Sequence, residues 1–259
     1  MMRTRAIHLV AAAALAGLAT CSKDSTSPSS LIDDTQVVAD IATSAGDAIA
    51  TDVTTMIGDE GNAALPAPGI NFDLFGAASD TLATTRSKTC YDVSHAVVTN
   101  CLPLSSVRTI AFHVTVDGTR SATTFTAAVH RTRDWTLTRL FTGATETARQ
   151  HDGVGTSHDT TVVTTAAMTR THAATALDSA IAVVFNLPRT SNPWPASGTM
   201  VRVATVHVTF ASATKQATKN YTKRVEVDFP ADAQGNVVLK IDSKTCNLNL
   251  GTHAVTSCQ

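Results

Sequence analysis

The sequence predicts a mainly β domain: a curved antiparallel meander sheet or partial barrel, covered by one long N-terminal amphipathic helix. Threonine and valine recur at almost every second position from Ser87 onward, which favours strands over helices. Polar and apolar side chains alternate and the connections are short, which favours antiparallel pairing. One segment near the N-terminus has helical periodicity instead. A β-sandwich is the alternative architecture.

Residues 1–20 have the features of a secretory signal peptide. Arg3 and Arg5 supply a positive start, and a short apolar segment follows from Ile7 to Ala19. This segment is shorter than the roughly 18 residues that a membrane-spanning helix needs. We therefore expect cleavage at its end and no helical anchor in the mature chain.

The end of this segment, Leu18-Ala19-Thr20-Cys21, resembles the lipobox of bacterial lipoproteins, in which a leucine and two small residues precede a cysteine. Thr20 is larger than the residue usual at its position. The resemblance implies that Cys21 becomes the first mature residue, that its thiol is lipidated, and that the lipid anchors the protein in the bacterial cell envelope. Ser22, in place of an aspartate, favours the outer membrane. Ordinary cleavage without a lipid is the alternative.

Residues 21–30 are polar and serine-rich, which is typical of a flexible tether. Residues 31–259 are predicted to form a single domain that begins with a helix over 31–58. Apolar residues recur there at steps of three and four, which places them on one helix face. They are Val37, Val38, Ile41, Ala45, Ile49, Val53 and Met56.

The ends of this helix carry start and stop signals. Ser30 and Asp33 resemble a capping box, and Gly58 favours termination. The polar side of the helix carries three aspartates, Asp40, Asp47 and Asp52, and no basic residue that would favour anionic lipid. Packing of the helix on the chain's own sheet is therefore favoured over a membrane or partner-protein role.

The chain has five cysteines, and lipidation of Cys21 would leave an even number for disulfides. The other four lie in a short internal repeat, in which Ser-Lys-Thr-Cys is followed by His-Ala-Val and a second cysteine. Each copy is predicted to be a β-hairpin closed by a disulfide, which pairs Cys90 with Cys101 and Cys246 with Cys258. Two other connectivities are possible for four cysteines.

About ten strands are predicted from the alternation of apolar and polar residues. Outside the two hairpins they cover residues 110–117, 123–130, 135–141, 145–150, 160–168, 181–187, 200–210, 221–229 and 237–241. Asp117-Gly118 predicts a turn between the first two. Residues 173–185 also fit a helix, but a strand that begins near Asp178 is favoured.

Composition and motifs exclude more functions than they suggest. The formal net charge is −1 and no basic run is present, so nucleic acid is not a predicted partner.

The sequence lacks the phosphate-binding loop, the zinc-protease motif, the serine-hydrolase elbow and Cys-x-x-Cys. Ser157, His158 and Asp159 are adjacent, but neighbours along a strand point to opposite faces and cannot form a triad. No cofactor is predicted.

One segment predicts a metal site. The sequence from His151 to Asp159 contains two glycines and resembles a hairpin tip, which would set His151 opposite His158 with Asp152 or Asp159 nearby. Two imidazoles and a carboxylate could bind zinc or another divalent ion. The alternative interpretation is a solvated turn without a ligand.

Three functions are compatible with these features. The first is a non-catalytic, lipid-anchored module of the cell envelope with a structural or interaction role, whose partners are the membrane and an envelope protein. The second is a carrier of an apolar ligand in a helix-covered half-barrel, which resembles in outline the periplasmic lipoprotein-carrier proteins. The third is a metal-dependent or hydrolytic enzyme. A filled core favours the first, a large apolar cavity the second, and a cleft with His, Asp and Ser the third.

Overall fold

The computed structural model describes residues 32–60, 81–99, 101, 106–121 and 125–259, which form one helix and eleven strands. The predicted signal peptide, tether and Cys21 lie outside these residues. The helix is α1 (Asp34–Glu60). The strands are β1 (Ala83–Tyr91), β2 (Val97–Val98), β3 (Thr109–Ser121), β4 (Phe125–Thr142), β5 (Thr145–Thr164), β6 (Thr169–Asn186), β7 (Ser197–Ala211), β8 (Gln216–Asp228), β9 (Asn236–Ile241), β10 (Lys244–Asn249) and β11 (Val255–Thr256).

All of the described strands lie in one open antiparallel sheet, which confirms the predicted mainly β class. The order across the sheet is β11-β10-β9-β8-β7-β6-β5-β4-β3-β1-β2. Neighbours in sequence are therefore neighbours in the sheet everywhere except beside β1, as short connections require. These strands do not provide the two packed layers of the alternative β-sandwich.

The central strands are longer than the sequence indicates. β4, β5 and β6 contain 18, 20 and 18 residues. β4 joins the two predicted strands 123–130 and 135–141, and β5 runs from 145–150 into 160–168. β6 begins at Thr169 rather than near Asp178, and the helical alternative for this segment is wrong.

The predicted turn at Asp117-Gly118 is also wrong, because β3 continues through it to Ser121. Gly118 serves close packing instead. A Cβ on Gly118 would collide with the carbonyl oxygen of Thr81 and would lie 2.9 Å from the Cα of Leu82. A glycine in a strand thus marks a close backbone approach as often as a turn.

The helix α1 confirms the predicted helix, with each end shifted by two or three residues. Asp33 is its N-cap, because the Asp33 Oδ1 accepts hydrogen bonds from the backbone N–H of Thr35 at 2.9 Å and of Gln36 at 3.4 Å. Ser30, the predicted partner in a capping box, lies outside the described residues. Among the described residues, no helix combines the length and apolar character needed to cross a bilayer.

The apolar face of α1 packs on the inner face of the sheet. Val37, Ile41, Ile49, Val53 and Met56 are at most 4% exposed. Their cluster includes side chains from strands across the sheet, among them Val114, Trp135, Phe185, Val208 and Leu239. Each large buried side chain contributes about 1.5–3 kcal/mol of transfer free energy, so this face is sufficient reason for the helix to dock.

Both predicted disulfides are confirmed, Cys90 with Cys101 and Cys246 with Cys258. They close the short hairpins β1–β2 and β10–β11, which lie at opposite ends of the sheet. The repeat extends to the backbone, since His95 and His253 have left-handed φ angles of 61° and 58°. Each end of the sheet thus terminates in a two-residue strand, a common protection against edge-to-edge aggregation.

Removal of either disulfide should destabilise the domain to a similar extent, because the paired cysteines are 11 and 12 residues apart. Loops of this size predict a loss of about 3 kcal/mol in the free energy of unfolding. Urea unfolding of the double variant Cys246→Ala/Cys258→Ala measures it, and Cys21→Ala is the matched control without a disulfide. A loss below about 1 kcal/mol would contradict the structural role of the hairpin.

Candidate functional site

The segment that predicted a metal-binding hairpin is an uninterrupted part of β5. Gly153 and Gly155 pair with Trp135 and Arg133 of β4, so the predicted turn is wrong. A Cβ on Gly155 would lie 2.5 Å from the Cδ of Arg133, and one on Gly153 would lie 3.0 Å from the Trp135 ring. These glycines make room for two large inward side chains.

The strand separates the three predicted metal ligands. His151 is buried and its ring meets Phe185 edge-on, with 5.5 Å between centroids. His158 is exposed on the opposite face. The Oδ1 of Asp152 accepts a hydrogen bond from the backbone N–H of Ala182 at 2.7 Å. Within the described parts of the chain, no three His, Cys, Asp or Glu side chains are gathered to bind a metal.

A buried network of charges lies between α1 and the sheet instead, and we call it the charge chain. Acidic and basic side chains alternate along it, four of each sign, so that its formal charge is zero. In order of contact it contains Asp52, Arg133, Asp178, Arg202, Asp159, Arg131, Asp47 and Arg120.

The contacts of the charge chain are short. Arg133 Nε lies 2.9 Å from Asp52 and its Nη2 lies 3.1 Å from Asp178. Arg202 lies 2.9 Å from Asp178 and 3.0 Å from Asp159. Arg131 lies 3.1 Å from Asp159. The guanidiniums of Arg131, Arg133 and Arg202 each bridge two carboxylates, which is the geometry that a planar fork of donors favours.

Arg133 is the most completely bonded member of the charge chain. Its side chain is 1% exposed. The two N–H groups of Nη1 donate to the carbonyl oxygens of Thr132 and Thr156, both at 2.9 Å. Besides its contact with Asp178, Nη2 donates to the Ser157 Oγ at 3.2 Å. All five N–H donors of the guanidinium thus have acceptors, as a buried arginine requires.

The helix supplies two of the four acidic members of the charge chain. Asp47 contacts Arg120, Arg131 and His253, while Asp52 contacts Arg133. The polar face of the helix, like its apolar face, therefore makes contacts with the sheet. Asp40, which lies about two helical turns before Asp47, likewise contacts Arg170 and His172, each at 3.1 Å.

Sequence analysis missed the charge chain, although a signal was present. Arg131 and Arg133 occupy the same alternate positions of β4 as Trp135 and Leu137, which marks them as inward-facing. Arg202 has the same relation to the buried Val206 of β7. An arginine in phase with core residues indicates a buried partner of opposite charge.

The charge chain shifts the pKa of its members in opposite directions. Burial raises the pKa of Asp47, but the hydrogen bond with His253 and the charges of Arg131 and Arg120 outweigh burial and hold it well below its usual range. Burial raises the pKa of Asp52, and Arg133 offsets only part of this rise. Asp178, a nearby carboxylate, raises it further.

Ser157 lies at the centre of the charge chain and is fully buried. Its Oγ donates to Asp178 at 2.6 Å and accepts from Arg202 at 3.0 Å and from Arg133 at 3.2 Å. The hydroxyl is thus held by three hydrogen bonds inside the charge chain. As predicted, His158 points to the other face from Ser157 and Asp159.

A small pocket borders the charge chain between α1 and strands β5 to β7. Asp40, Asp159, His172 and Arg202 contribute its polar lining, and its volume is about 30 Å³. A cavity needs roughly 10–15 Å³ to hold one water molecule. The pocket therefore accommodates about two water molecules rather than an apolar ligand.

Comparisons with protein-family models, with curated proteins and with solved structures found no match to this chain.

Replacement of Arg133 by methionine should destabilise the domain strongly, because it leaves Asp52 and Asp178 without their shared cation. Loss of one partner from a buried ion pair costs about 3–5 kcal/mol. Urea unfolding of Arg133→Met at pH 7 measures this loss. The control is Arg224→Met, since Arg224 is 55% exposed and should change stability by less than about 0.5 kcal/mol. Equal effects of the two variants would contradict a structural charge chain.

Proposed function

We propose that this protein is a non-catalytic structural module, anchored by lipid on Cys21 to the bacterial cell envelope, with the outer membrane as its location. One observation carries the proposal for the domain: the described residues between helix and sheet form an apolar cluster and the charge chain, and the pocket beside them has a volume of only about 30 Å³. A domain whose interior side chains contact one another, and not a ligand, is suited to a structural role.

The same observation argues against the two alternatives. A carrier needs an apolar cavity of several hundred Å³, and the pocket beside the charge chain holds about 30 Å³. A hydrolytic enzyme that used Ser157 as its nucleophile would need this residue to be accessible, and Ser157 is fully buried. An envelope protein partner and a metal-dependent activity stay predictions of the sequence.

We also propose that the sheet curves around α1 as a partial barrel. Two contacts of Asp47 support this proposal, one with Arg120 on β3 and one with His253 between β10 and β11. Seven strand spacings separate β3 from β10 in the sheet order, or about 34 Å in a flat sheet. One carboxylate can meet both side chains only where the sheet bends towards the helix.

One segment of α1 is buried on every side, and this burial gives independent support for the curvature. From Asp52 to Ile57 every residue of the helix is buried. A helix on a flat surface would expose at least one side in six consecutive residues, since these cover more than one full turn. The prediction of a helix-covered half-barrel is consistent with this pattern.

Mass spectrometry of the full-length product, extracted from its own envelope in mild detergent, tests the function. Denaturing conditions should give a chain that begins at Cys21 and carries acyl groups, and native conditions should give the same mass. Cys21→Ala should lose the acyl mass and move from the membrane to the soluble fraction, while Thr20→Ala, which improves the lipobox, should keep both.

Two results would contradict the proposal. An unmodified Cys21 in the wild-type protein would remove the lipid anchor. A stoichiometric apolar molecule present only in the native spectrum would establish a carrier in place of a structural module.

A further inference from the structure

The outer face of the sheet, opposite the charge chain, holds a pair of histidines. His130 of β4 and His158 of β5 are directly opposite each other in the strand register. Their ring centroids are 6.2 Å apart, with the ring planes inclined by 34°. Both side chains are exposed, and His130 is 55% accessible. Two imidazoles are therefore presented to solvent on neighbouring strands of a rigid sheet.

A carboxylate on the next strand orients the first of these rings. Asp117 of β3 is opposite His130 in the register, and its Oδ1 contacts the Nδ1 of His130. A carboxylate can only accept a hydrogen bond, so the Nδ1 of His130 carries the proton. The lone pair of the neutral ring then lies on Nε2, at the side of the ring away from Asp117. This carboxylate–histidine arrangement is the usual support of a metal-binding imidazole.

The separation of the two rings is compatible with one shared ion. A metal–nitrogen distance of about 2.0–2.1 Å places the ion about 3.2 Å from the centroid of each ligating ring. Two such centroids are then about 5.2 Å apart at a tetrahedral angle and at most about 6.4 Å apart when the ion lies on the line between them. The observed 6.2 Å is within this limit. Rotation of exposed side chains about χ1 and χ2 can reduce it further without movement of the backbone.

We propose that His130 and His158 bind a divalent transition-metal ion, with Asp117 as the residue that positions His130. Water completes the coordination, since two imidazoles fill only part of a four-coordinate shell. Neutral imidazole ligands favour copper, nickel and zinc over magnesium and calcium, and Cu²⁺ binds more tightly than Zn²⁺ or Ni²⁺ at a given site. This pair differs from the predicted ligands, because the partner of His158 is His130 on the next strand and not His151 on its own strand.

Other histidines of the same face provide matched controls. The Nδ1 of His113 lies 2.8 Å from the Asp134 carboxylate, and the Nδ1 of His207 lies 2.7 Å from the Asn220 side-chain oxygen. Each is exposed like His130, but each faces a carboxylate or an amide instead of a second imidazole.

Isothermal titration calorimetry with CuCl₂ and ZnCl₂ tests the proposal. The sample is the full chain without an affinity tag, from which EDTA has removed any metal. We expect one ion per chain and tighter binding of Cu²⁺. His130→Ala and His158→Ala should each weaken binding more than tenfold, and Asp117→Asn should weaken it by about 10–100-fold. His113→Ala and His207→Ala should bind as the wild type does. Circular dichroism of every variant checks that the exposed substitutions leave the fold intact.

The electron paramagnetic resonance spectrum of bound Cu²⁺ provides a second measurement. Two equivalent nitrogen ligands should appear in the wild type, and the signal should change to one nitrogen in His158→Ala. Absence of binding by the wild type, or unchanged affinity and spectrum in both His130→Ala and His158→Ala, would overturn the proposal.

Discussion

A buried charge must have a partner of opposite sign, and this constraint determines how the helix sits on the sheet. An uncompensated ion inside a protein costs several kcal/mol, so Asp47 and Asp52 of α1 have to meet the arginines of β3 and β4. Apolar contacts alone would tolerate a helix shifted by one turn, because they are non-directional. The alternation of carboxylates and guanidiniums makes such a shift unfavourable, since it would leave charges unpaired.

Other features of the fold make this arrangement possible. Gly155 leaves space for the side chain of Arg133, whose five donors then find five acceptors. The hairpin after β10 brings His253 to Asp47, and the Cys246–Cys258 disulfide closes that hairpin. The charge chain thus depends on a glycine of β5 and on a hairpin whose His253 is 206 residues from Asp47 in sequence, and the interior that it occupies is the basis of the proposed structural role.

Local patterns predicted the local features correctly. Three- and four-residue periodicity located α1, alternation gave the mainly β class, and the repeated Ser-Lys-Thr-Cys segments gave both disulfides. Gly118, Gly153 and Gly155 were misinterpreted because a glycine that permits close packing has the same sequence signal as a glycine in a turn. Asp47 contacts Arg120 and Arg131, and Arg133 contacts Asp52. The residues of these pairs are 73 to 84 positions apart in the chain, so no local pattern reveals that they meet. His130 and His158 were not paired for the same reason.

The opposite pKa shifts of Asp47 and Asp52 allow the most direct test of the charge chain. The pKa of Asp47 is lowered in the folded protein, so its ionised form stabilises the fold above its usual pKa of about 3.9. The pKa of Asp52 is raised, so its ionisation costs stability as the pH rises from the usual pKa of about 3.9 to the raised value. The measurement is the free energy of urea unfolding at pH 7 for Asp47→Asn and Asp52→Asn. We predict a loss of about 3–5 kcal/mol for Asp47→Asn and less than half of that loss for Asp52→Asn, whereas an equal or larger loss for Asp52→Asn would contradict the account.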